Sequence, residues 1–165
     1  MSEEFISGYL ECISRVKDII TPHVGGTNQF FSIDRDKNND VLTDIKSFMT
    51  KHKEYYKNSY DDNFFQTTLD KVSIRKIDDW KNNLQELIKQ WTCDNDLIKI
   101  RGHNGHLLSQ YLVEFLLKDF FKDKTIEVFK LLPDWGTWHW GDHMSEEYLF
   151  VTDDKIFIMH LGESS

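Results

Sequence analysis

Phe5, Tyr9, Ile13, Val16 and Ile20 recur at helical intervals between Glu3 and Ile20 and predict a first helix over that span. Ser2 suits its N-cap, and Glu3 and Glu4 suit its positive start. Thr21-Pro22 and Gly25-Gly26 end it. The run Asn28 to Ile33 is short and aromatic and reads as a strand, followed by a polar loop from Asp34 to Asp40. A second helix is predicted over Leu42 to Lys57, with Leu42, Ile45, Met49, His52 and Tyr56 on one face. A third, from Asp61 to Val72, carries Phe64, Phe65, Leu69 and Val72. The fourth, from Ile74 to Trp91, has the cleanest stripe: Ile74, Ile77, Trp80, Leu84, Leu87, Ile88 and Trp91. Leu97 to Arg101 reads as a short strand and Gly102 to Gly105 as a turn. The fifth helix, Leu107 to Phe121, is apolar over most of its surface, which predicts a central position.

The pattern changes near Thr125. Thr125 to Leu132 mixes β-branched and aromatic residues and reads as a strand, and Pro133-Asp134 with Gly136 marks a loop. Glu147 to Val151, a turn over Thr152 to Lys155, and Ile156 to Leu161 read as a β-hairpin. Helices followed by strands argue for an α+β protein rather than repeated βαβ units. The expected architecture is a helical N-terminal two-thirds packed against a small, mostly antiparallel C-terminal β-sheet. At 165 residues the chain reads as one domain, 1–165.

Composition narrows the function. A hydrophobic fraction of 39% with 14% aromatic is globular. The net charge of -8 repels phosphate backbones and anionic membranes and suits a basic protein partner. Ser2, Glu3 and Glu4 follow Met1 where a secretory leader would carry positive charge, and no apolar run is long enough to span a bilayer. A cytoplasmic location is therefore expected. Cys12 and Cys93, far apart in sequence, make no disulfide framework.

Few stretches carry recognisable chemistry. The loop Asp34-Arg35-Asp36-Lys37-Asn38-Asn39-Asp40-Val41-Leu42-Thr43-Asp44-Ile45 resembles a calcium-binding EF-hand loop in its alternating oxygen ligands and in Val41. It departs where Asn39 replaces the turn glycine and Ile45 the bidentate glutamate, so a solvated turn capping the second helix is the competing reading. His103, His106, His139 and His143, with Asp142, form two loop pairs that could hold zinc or act as acid and base if folding united them. Neither has the spacing of a metalloprotease helix, and loop histidines are commonly surface residues. There is no nucleophile elbow, phosphate-binding loop or dinucleotide fingerprint, and neither a cofactor nor a metal is expected.

The most distinctive segment runs from Pro133 to His143 and holds Trp135, Trp138 and Trp140 in a glycine-containing loop. Tryptophan buries much area at little entropic cost, and the carboxylates Asp134, Asp142, Glu146, Glu147, Asp153 and Asp154 surround it in sequence. Aromatic anchors ringed by acids suit a basic surface, and these nine residues are the candidate partner-binding set. The alternative places Trp138 and Trp140 on the core face of a strand.

In size, acidity, lack of secretion and catalytic signals, and this Trp-acid part from Asp134 to Gly162, the chain resembles bacterial immunity proteins. Such proteins neutralise a cognate contact-dependent or polymorphic toxin. The resemblance is one of type over the whole chain. It implies tight one-to-one binding to a basic toxin domain with occlusion of its active site, and no nucleic-acid or membrane partner. The competing functions are a histidine-dependent hydrolase or nuclease and a non-enzymatic regulatory adaptor.

Overall fold

The computed structural model describes residues 1–20, 25–52, 62–93, 106–133 and 142–164. Helix α1 spans Glu3–Ile20, as its periodicity predicts. Ser2 Oγ accepts the Phe5 N–H at its start, 3.3 Å away. Strand β1 (Gly25–Asp34) leads through a turn to α2 (Val41–Lys51) and then α3 (Asp62–Lys71). Strand β2 (Ser73–Lys76) and helix α4 (Trp80–Cys93) follow. Helix α5 (His106–Gln110) runs directly into a π-helical stretch (Tyr111–Leu117) and α6 (Lys118–Phe120). Strands β3 (Glu127–Leu132), β4 (Asp142–Val151) and β5 (Lys155–Ser164) complete the order.

The five strands form one sheet in the order β1-β5-β4-β3-β2, with every neighbouring pair antiparallel. This corrects the expected C-terminal sheet behind a helical N-terminal two-thirds. Strand β1, early in the chain, pairs along its whole length with β5, from Gly25 opposite Ser164 to Asp34 opposite Lys155. Strand β2, between α3 and α4, closes the other edge on β3. The strands are thus spread along the chain and the fold is mixed α+β. The second helix spans Val41–Lys51, capped at His52, and the rest of its expected span to Lys57 lies outside the described residues; Ile74 belongs to β2 rather than to α4.

The sheet buries both faces, because successive side chains on a strand point to opposite sides. Phe157, Met159 and Leu161 of β5 pack with Phe30, Tyr148 and Phe150 under Ile6 and Leu10 of α1, Leu84 and Ile88 of α4, and Leu112, Val113, Leu116 and Leu117. Ile156 and Ile158 point the other way, with Leu149, Val151 and Leu131, against Ile45 and Met49 of α2 and Leu69 of α3. The first face is aromatic. Phe30 stacks on Phe157 at 5.9 Å, Phe121 stacks on Phe150 at 5.3 Å, and Trp80 meets Phe150 edge-on at 5.3 Å.

Candidate functional site

The partner-binding set divides into three groups. Asp134, Trp135, Trp138 and Trp140 lie outside the described residues. Asp142 opens β4, where the register with β5 shifts between Asp142 and Met144, and its side chain is outside the described set. The remaining four acids have three different environments.

Glu147 is the correction. It shares a face of β4 with Leu149 and Val151, so alternation turns it inward, and its side chain is 0% exposed. His160, opposite it on β5, is 1% exposed, and His160 Nδ1 lies 3.0 Å from Glu147 Oε1. Ser145, two residues back on the same strand face, is buried as well. A carboxylate in that position is structural and presents nothing to a partner. Glu146, on the opposite face, pairs with Lys130 Nζ at 2.9 Å, with both side chains largely covered.

Asp153 and Asp154 are exposed in the tight β4–β5 turn. Thr152 builds that turn: its N–H donates to Lys155 O at 2.9 Å, and its hydroxyl oxygen accepts the Lys155 N–H at 3.1 Å. The fold brings to this turn a segment the sequence kept separate, the Asp34–Asp40 loop. Arg35 N–H donates to Asp154 O at 3.0 Å, and Arg35 Nη1 donates to Thr152 O at 3.2 Å. On its inner side Arg35 Nε faces the buried Asp44 Oδ2 at 3.9 Å. Arg35 therefore clamps the two loops from within, leaving Asp34, Asp36, Asp40, Asp153 and Asp154 exposed at one end of the sheet. Asp34 is 92% exposed, at 3.9 Å from Lys155 Nζ.

Two of these carboxylates are held ionised below the usual range. The Thr43 N–H, 2.7 Å from Asp40 Oδ1, is the largest cause at Asp40, the N-cap of α2. The Thr152 hydroxyl, 2.9 Å from Asp154 Oδ1, does the same for Asp154. The EF-hand-like loop is occupied with the same kind of work. Asp36 Oδ1 accepts the Asn38 N–H at 2.9 Å, and Asp44 Oδ1 accepts Asn39 Nδ2 at 3.0 Å. No cluster of three metal-type side chains occurs among the described residues.

His103 and His139 lie outside the described residues, and His106 and His143 begin α5 and sit in β4 with side chains outside the described set. Cys12 is an exposed free thiol on α1. No described helix is long and apolar enough to cross a membrane. Sequence reasoning missed the union of the Asp34–Asp40 loop with the Asp153-Asp154 turn. The sequence did mark both Asn28–Ile33, short and aromatic, and Ile156–Leu161, an apolar run, as strands, but not that they pair.

The molecule is thus an α+β sheet protein, helix-covered on both faces, with an acidic corner built around the half-buried Arg35. No family model matches the chain, and no curated protein does. Among solved structures it is similar to two crystal forms of MAF1 from citrus. One is 10% identical, covering 93% of this chain and 98% of that one, with a TM-score of 0.48. The other is 9% identical, covering 95% and 99%, with a TM-score of 0.46.

Proposed function

We propose that this chain is a non-catalytic acidic binding protein that neutralises a basic protein partner, in the manner of an immunity protein blocking a bacterial toxin. The observation that carries the reading is the convergence of Asp34, Asp36 and Asp40 with Asp153 and Asp154 around Arg35. Two of those carboxylates are kept ionised by their own hydrogen bonds. A rigid group of exposed carboxylates on a chain of charge -8 steers a basic surface and orients it on encounter.

The test is affinity capture from the native cells with the natural chain and with an Asp34→Lys, Asp153→Lys variant. These two positions leave the capping bonds of Asp40 and Asp154 in place. The expected result is one basic protein recovered in equal amount with the natural chain and lost with the variant. Recovery of the same protein by both would show that the corner is not the interface.

A further inference from the structure

We draw no further inference here: the strongest candidate, the exposed apolar seam of Phe5, Tyr111 and Phe115 between α1 and the π-helical stretch, carries none because nothing in the structure shows what covers it.

Discussion

His160 of β5 and Glu147 of β4 face each other across the central strand pair, Nδ1 to Oε1 at 3.0 Å, with both side chains buried. Removing one member leaves the other buried without that bond. His160→Ala and Glu147→Ala are each expected to lower the unfolding free energy by about 1–3 kcal/mol in urea titrations. Glu147→Gln, which keeps an acceptor oxygen, is expected to cost less.

Phe150 joins the aromatic groups of the first sheet face, stacked on Phe121 and meeting Phe30 and Trp80 edge-on. Truncation there opens a cavity that strands and helices on several sides cannot close together. Phe150→Ala is expected to destabilise by about 3–5 kcal/mol, measured by the same titration. Exposed Phe115→Ala should change stability far less.

Arg35 is the hinge between the fold and the acidic corner, since it faces Asp44 inward and donates to Thr152 O. Arg35→Met is expected to cost about 1–3 kcal/mol, because Asp44 stays buried and loses its cation. The pair Arg35→Met with Asp44→Asn should cost less than the sum of the single changes. A strictly additive double-mutant cycle would show that the two side chains do not interact.

The pH dependence follows from Asp40 and Asp154. Both have folded pKa values below the ordinary value of 3.8. A depressed carboxylate binds protons less readily when folded, so its stabilisation is present above the unfolded pKa and is lost as pH falls through the folded one. Asp40→Ala is therefore expected to lower the melting temperature near neutrality. The difference from the natural chain should shrink as pH falls below the ordinary carboxylate value; a pH-independent difference would mean that the charge of Asp40 plays no part.

Much of the local structure was legible. The 3.6-residue period of α1 marks its full span, and two apolar runs flanking the polar Thr152–Lys155 turn mark the β4–β5 hairpin. Periodicity did not say which side of α1 would be covered, because Phe5-Tyr9 and Ile6-Leu10 are both apolar lines and only long-range packing chose the second. Ile74 was assigned to α4 because its spacing to Ile77 and Trp80 is also helical, and a four-residue strand has too few side chains to contradict that. Glu147 was placed among surface acids by composition, although its spacing to Leu149 and Val151 already put it on an inward face. The acidic corner depends on pairing between β1 and β5, far apart in the chain, and no local pattern contains it.

The most direct measurement is a calorimetric titration of the captured basic protein into the natural chain and into the Asp34→Lys, Asp153→Lys variant, at low and high salt. The expected result is one-to-one binding that weakens with salt and falls at least about tenfold in the variant, as for a steered charge-complementary contact. Equal affinities for the two chains, or binding indifferent to salt, would contradict the account.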